Sequence, residues 1–506
     1  MIGSGGTIGA MFSLDRASPL PLAAQAEAGL RELIERGQLV AGARLPSIRR
    51  LAAQLEVSPN TVIVAYDRLV ADGRVHARGK AGYYVSEASA GGGVVDDSPL
   101  EAGEEQDPLW LAQQSYEQRP GLLQASSGAL PLAWIEDVVP LSLVQRALAK
   151  TPGGLAARCP PQGLPALRER LAMQMRAQGI AVDASRVLTV AGGTQAIDLI
   201  CRAFLQPGDA VVVEDPGYFL LFGRLRQAGV RVIAVDRRPD GVDLDQLEAA
   251  CAEHRPRVAF LQPVVHNPTG WGSSAANLHR VLRIAERHGV LIAEDDVHGP
   301  FVAGQPTRLA QLAALERVIH YSSFCKLLSP GLRLGYLAAD PQLLKPLLRE
   351  KIYAVLATSP VAEWVLLEVL ASGRLRKHAE RVQARLAAAR LAAARNLRQA
   401  GIVFDHVADD GLFLWGRVPD GTDIEGLVKD AYRNGIVLAR GATFRADAQA
   451  AAGDPHIRFN AGISQQARLA DYLGERLRAV ALAGDLRAVA LAGNALARMA
   501  APAGAG

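Results

Sequence analysis

The chain has 506 residues, 49% of them hydrophobic, a length that implies two or three domains rather than one core. A net charge of +4 argues against binding nucleic acid over the whole surface but leaves room for one basic module. Four scattered cysteines (Cys159, Cys201, Cys251, Cys325) without a CxxC pair argue against a disulfide framework or a zinc site, so no metal is expected.

In chain order, residues 1–17 are Gly-rich and expected to be disordered. The opening run has no basic leader and no later stretch reaches transmembrane length, so a cytoplasmic protein without a membrane partner is expected. From Leu22 to Arg36 apolar residues recur at helical spacing, with Gly37 as a stop. SIRRLAAQL reads as a short second helix. After the turn EVSP, NTVIVAYDRLVADG reads as a third, with Ser58 as N-cap, Pro59 at the first helical position and Gly73 as its end. RVHARGKAGYYV then reads as two short strands around a turn. Helix, helix, turn, helix and wing outline a winged helix-turn-helix over 18–86.

Residues 20–85 hold nine Lys/Arg against six Asp/Glu, a modest excess whose placement tells more. Arg49 and Arg50 open the second helix, and Arg78 and Lys80 sit on the wing, where phosphates would lie. A solvated dimerisation module of mixed charge has the same outline. The stretch LPSIRRLAAQLEVSPNTVIVAYDRLVADGRV with the wing RGKAGYYV resembles the GntR-type DNA-binding domain. The resemblance implies that Arg49 and Thr61 face a double-stranded operator, with Gly82 near the minor groove. Arg50, Ser58, Asn60, Arg78 and Lys80 complete the expected DNA-facing set. Pro59 stands where many members carry a basic residue, which removes a guanidinium able to read guanine.

Residues 87–119 are expected to be a linker, since 87–109 mix Gly, Ser, Pro and acids without hydrophobic period. The body that follows, 120–480, alternates six strand-like runs (VLTVAG, AVVVED, VRVIAVD, RVAFLQP, VLIAEDD, VIHYSSF) with helical stretches, a parallel α/β pattern. Five motifs carry its chemistry. AGGTQAIDL (191–199) turns from strand to helix and offers backbone N–H groups to an anion. EDPGYF (214–219) puts Tyr218 on a loop, and HNPTG (266–270) puts the Asn267 amide at a strand's carboxyl end, where open α/β sheets bind ligands. LIAEDDVHGPF (291–301) buries carboxylates that need a cation, and a protonated pyridine nitrogen is one. YSSFCKLLSPGLRLGY (321–336) brings Ser323, Lys326 and Arg333 after a strand; lysine forms Schiff bases with aldehydes once it loses its proton. Singly, Lys326 reads as a surface lysine and Tyr218 as core.

Together the motifs resemble the fold-type-I aminotransferases, which bind pyridoxal 5'-phosphate (PLP). The fold implied is a large PLP-dependent transferase domain with a smaller C-terminal α+β subdomain. By that resemblance Lys326 would hold the cofactor, Asp295 would pair with its ring nitrogen, Asn267 would bond its phenolic oxygen and Tyr218 would stack on it. Gly193, Thr194, Ser323 and Arg333 would hold its phosphate. HIRFNAG (456–462) resembles the segment whose arginine, here Arg458, binds a substrate carboxylate bidentately. His298 stands where the family usually shows a tyrosine reaching the phenolic oxygen. Residues 481–506 are a low-complexity tail; LRAVALAGD at 477–485 recurs almost unchanged at 486–494.

A GntR-type reader followed by an aminotransferase-like domain resembles the MocR subfamily of regulators. This implies a homodimer, with reader domains swapped over the partner, that senses an amino-acid or amine effector through aldimine exchange at Lys326. A working aminotransferase with an accessory DNA-binding domain is the alternative, and a reporter of PLP supply is a third reading.

Overall fold

Three helices and a hairpin make the first body: α1 (Leu22–Glu35), α2 (Ile48–Gln54), α3 (Pro59–Ala71), β1 (Val75–Ala77) and β2 (Tyr83–Val85). The computed structural model describes residues 12–16, 18, 20–35, 38–40, 42–71, 74–77, 82–86, 108–114, 121–156 and 158–478. The chain divides into two compact units, Met1–Gly103 and Glu104–Gly506.

In the first unit the apolar stripes of α1, α2 and α3 close on Leu30, Leu51, Val62, Tyr66 and Leu69. Ser47 caps α2 by accepting the Arg50 N–H, and Ser58 caps α3 by accepting the Thr61 N–H at 3.1 Å. The antiparallel wing pairs Val75 with Val85 and Ala77 with Tyr83. Residues 12–16 depart from the disorder expected for 1–17, because Phe12 and Leu14 pack on this core. Gly29 of α1 makes the room: a Cβ there would lie 2.3 Å from the Phe12 ring. Gly37, Gly73, Arg78, Lys80 and the tail 481–506 lie outside the described residues.

The stretch expected to be linker also holds structure. Helix α4 (Pro108–Gln114) buries Trp110 and Leu111 against Phe219, Trp415 and Phe444. Of its PLWLAQQ sequence, Trp110 and Leu111 are buried and anchor the two turns, while Leu109 stays exposed.

The second unit is built on β3 (Val187–Val190), β4 (Ala210–Asp215), β5 (Arg231–Arg238), β6 (Gly241–Val242), β7 (Val258–Leu261), β8 (Leu291–Asp295), β9 (Val318–Ser323) and β10 (Gly335–Ala338). They form one sheet in the order β3-β10-β9-β8-β7-β4-β5-β6. Neighbouring residues enter opposite cores: Val212, Ile292 and Val318 on one face, Val213, Ala293 and Ile319 on the other. Helices therefore cover both faces, as a mainly parallel sheet requires. All six expected strands are present. The sheet is nonetheless mixed, since β10 inserts antiparallel between β3 and β9. Only the short loop 324–334 joins β9 to β10, and so short a return makes neighbours antiparallel. Gly335 permits the fit, as a Cβ there would lie 2.5 Å from the Ser322 carbonyl oxygen.

The smaller C-terminal part pairs β11 (Phe413–Arg417), β13 (His456–Asn460) and β12 (Ala439–Arg440) in one antiparallel sheet, packed on the helix Arg374–Gln399 through Ala393 and Leu397. This places Arg458 opposite Trp415, with Phe413 two residues away.

Candidate cofactor site and reader surface

The carboxyl ends of β3, β7, β8 and β9 define the site, at the edge where open α/β sheets bind ligands. Gly192, with φ of 89°, turns the chain from β3 into the helix Gly193–Phe204. A Cβ on Gly192 would lie 3.2 Å from Cys325 Sγ, 3.3 Å from Arg333 Nη2 and 3.6 Å from Ser323 Oγ. Gly192, the residue that leads into the first helical turn with Gly193 and Thr194, thus lies against the Ser323 hydroxyl and the Arg333 guanidinium in one cradle. Arg333 donates to the Ala191 carbonyl at 3.1 Å and has no ion-pair partner among the described residues. Unfilled positive charge beside a helix N-terminus suits a phosphate.

Lys326 lies just beyond β9. A Cβ on Gly128 would stand 3.2 Å from its Nζ, so glycine leaves the amine its space. Burial, then the guanidinium of Arg458, lowers the Lys326 pKa to about 8. Asp295 closes β8, paired in register with Tyr321, whose hydroxyl bonds its carboxyl. The Val297 N–H donates to Asp295 Oδ1 at 2.9 Å, yet no cation pairs with it among the described residues. Burial raises its pKa to about 7.

Arg458 is 3% exposed and has no acidic partner among the described residues. Its Nη1 donates to Asn267 Oδ1 at 2.8 Å and its Nη2 to the Ser126 carbonyl at 2.6 Å, while Nε has no partner. The guanidinium lies over Phe413 and Phe444, 4.6 Å from each ring centroid. Desolvation brings its pKa down to about 9. Tyr218 stands at the N-cap position of the helix Phe219–Gln227 without a side-chain cap bond, near both Arg458 and Tyr321. His298 is buried between Phe301 and Phe413, with Nδ1 3.1 Å from Gln262 Nε2. Burial, then Lys326 and Arg458, lowers its pKa to about 3, so the ring stays neutral.

All ten residues expected at the cofactor and carboxylate sites therefore belong to one strand-end region. Gly128, Gln262, Tyr321 and the two phenylalanines around Arg458 were not anticipated. Gly128 and the phenylalanines come from distant segments, Tyr321 and Gln262 sit unmarked at strand ends, and a glycine or glutamine alone carries no chemical signature. Among the described residues no three His, Cys, Asp or Glu side chains converge to hold a metal ion. No helix among them is long and apolar enough to cross a membrane.

On the first unit Arg49, Arg50, Ser58 and Asn60 are exposed, and Thr61 and Gly82 are half-buried. The Ser58 and Thr61 hydroxyls bond each other at 2.8 Å. Arg44, not anticipated, lies beside the wing: a Cβ on Gly82, at φ of 103°, would be 3.5 Å from its Nε.

Residues 123–471 match the family of aminotransferases of class I and II, and residues 22–85 match the bacterial regulatory proteins of the gntR family. The chain is 28% identical to the HTH-type transcriptional regulator YdcR of Escherichia coli, over 82% of this chain and 90% of that one. It is 29% identical to the probable rhizopine catabolism regulatory protein MocR of Rhizobium meliloti, over 66% and 68%. With the 2-aminoadipate transaminase of Thermus thermophilus it shares 30% over 65% of this chain and 83% of the relative. Among solved structures it resembles LysN, the alpha-aminoadipate aminotransferase of Thermus thermophilus complexed with a phosphopyridoxyl-leucine. The TM-score is 0.66 at 25% identity, over 74% of this chain and 97% of that one.

Proposed function

We propose that this chain, which belongs to the class I and II aminotransferase family and carries a gntR-family reader as MocR-type regulators do, is a PLP-dependent, DNA-binding regulator that senses an amino compound. The site fits PLP on three counts. An acid-free cradle awaits a phosphate at Gly192, Ser323 and Arg333. A buried carboxyl, Asp295, lacks a cation, and a buried lysine has a lowered pKa.

When bound, PLP supplies an aldehyde that takes up primary amines and a ring nitrogen that withdraws electrons. The protein's part is to position and to hold protons. With its pKa lowered to about 8, the Lys326 amine is unprotonated near neutral pH far more often than an ordinary lysine. Asp295 would stabilise positive charge at the ring nitrogen, the Asn267 NH2 would be available to the phenolic oxygen, and Tyr218 would lie beside the ring. Ser323, Arg333 and the Gly193–Thr194 turn would hold the phosphate.

The observation that carries the sensing reading is Arg458, a buried guanidinium with an unpartnered Nε and no acid beside it among the described residues. An amino acid would bring the missing carboxylate to Arg458 and an amine to compete with Lys326. Effector binding would then favour one arrangement of the large domain, and the homodimer would present its two readers to two half-sites accordingly.

Purified protein is expected to absorb in the visible, and borohydride or Lys326→Ala should abolish the band. A colourless wild type that cannot be reconstituted contradicts the assignment. A second reading, a working transaminase, is favoured by the completeness of the lysine, aspartate, asparagine and arginine set and by the 2-aminoadipate transaminase relative. Multiple turnovers of an amino donor and a keto acid, without sequence-specific DNA binding, would establish it instead.

A further inference from the structure

Gln262 directly follows β7 and belongs to none of the motifs that drew attention in the sequence. Its backbone N–H donates to Glu214 Oε2 at 2.6 Å, and Glu214 is itself buried against Arg237 at 3.2 Å, so the main chain is pinned. The buried side chain then reaches three elements of the cofactor site. Its Oε1 accepts the Asn267 backbone N–H at 2.8 Å, and its Nε2 lies 3.1 Å from His298 Nδ1 and 3.5 Å from Asp295 Oδ1.

The first contact decides which end of the amide is which. A backbone N–H can only donate, so the atom facing it must be the carbonyl oxygen. The NH2 end therefore faces His298, and an amide NH2 also only donates. His298 Nδ1 must accept, which leaves the proton of the neutral ring on Nε2. That Nε2 is buried and meets no hydrogen-bond partner at bonding geometry, while the Val265 backbone lies close enough to the ring to favour its charged form. Buried donors without acceptors are rare in folded proteins, and this one marks a place for a ligand atom. The charged groups acting on the ring are Lys326 and Arg458, with Asp295 reached through Gln262 and the neutral His266 on the preceding loop.

We propose that Gln262 is a positioning residue that locks His298 as an Nε2–H donor toward the edge of the cofactor that Asn267 also faces. One side chain thereby sets both groups that meet the phenolic oxygen: Asn267 through its backbone, His298 through its tautomer. The proposal rests on the PLP reading for the identity of the acceptor, but the tautomer itself is a property of the protein.

The test is long-range proton–nitrogen correlation on the full chain, labelled with nitrogen-15 histidine, before and after PLP is added. His298→Asn identifies the signal among the ten histidines. The expected pattern is Nε2 protonated and Nδ1 bare, without titration between about pH 6 and 8. In Gln262→Glu the carboxylate still accepts from Asn267 but can no longer donate to His298, so the proton should move to Nδ1. In the loaded protein the same variant should move the pH midpoint of the visible band by about one unit, a tenfold change in that equilibrium. A wild-type proton on Nδ1, or a pattern unchanged in Gln262→Glu, overturns the proposal. An inverted tautomer with an unmoved midpoint overturns the contact with the cofactor. If no visible band forms at all, the PLP reading fails and the acceptor assignment with it, while the tautomer result still judges Gln262. Should Gln262→Glu fail to fold, the wild-type tautomer decides alone.

Discussion

The two units solve recognition in opposite ways. At its candidate site the large unit buries three ionisable groups that have no ion-pair partner among the described residues: Asp295 without a cation, Arg458 without an acid, Lys326 in a desolvated pocket. The reader keeps Arg49 and Arg50 exposed on a small core of leucine, valine and tyrosine. Desolvated charges interact strongly and at short range, so one ligand atom can satisfy one residue. Exposed charges act through many weak, salt-screened contacts. Single substitutions should therefore be severe and ligand-specific in the large unit, and graded and salt-dependent in the reader.

The largest expected effect tests the buried side. Arg458→Met should weaken an amino-acid effector by about 100-fold or more, in line with losing a charge-assisted bidentate contact, and leave a simple amine nearly unaffected. Equal losses for both, measured by shifts in the visible band, would break the contrast. Next comes Asp295. Its pKa rises from 3.8 to about 7 on folding without cofactor, so folding favours the protonated acid and stability is lost as pH climbs between those values. Thermal melts of cofactor-free Asp295→Asn and wild type should diverge in the variant's favour between about pH 4 and pH 7, then run parallel above it. A constant gap across that range would mean the carboxyl is not desolvated.

The reader's effects should be smaller. Arg49→Ala should weaken operator binding by about tenfold and reduce the slope of log affinity against log salt by roughly one. An unchanged slope would remove Arg49 from the phosphate contacts. Smallest is Ser58→Ala, which loses the α3 cap and should cost the first unit about 1 kcal/mol by denaturant melting while the visible band stays as in wild type. A change in the band would show that the two units are not independently built.

The same contrast explains what was legible in the sequence. Caps and periodicity are local, so α1 to α3, the wing strands and the six strands could be read directly, whereas Lys326, Asp295 and Arg458 were singled out only through the motifs' joint resemblance to a family. What escaped depends on proximity created by folding. Strand β10 takes its direction from a short return loop, and α4 is held by aromatic residues far along the chain. Gly128 matters only because Lys326 points at it, and Gln262 only because three groups converge on its amide. Arg44 needed the wing's Gly82 beside it to stand out.

The central claim, that the buried site governs the exposed one, has a direct measurement. One sample containing the protein and its upstream DNA is titrated with an amino compound that shifts the visible band, and absorbance and DNA affinity are followed together. The two responses should share a midpoint, and both should vanish in Lys326→Ala. Saturation of the absorbance change with DNA affinity unmoved would contradict the account.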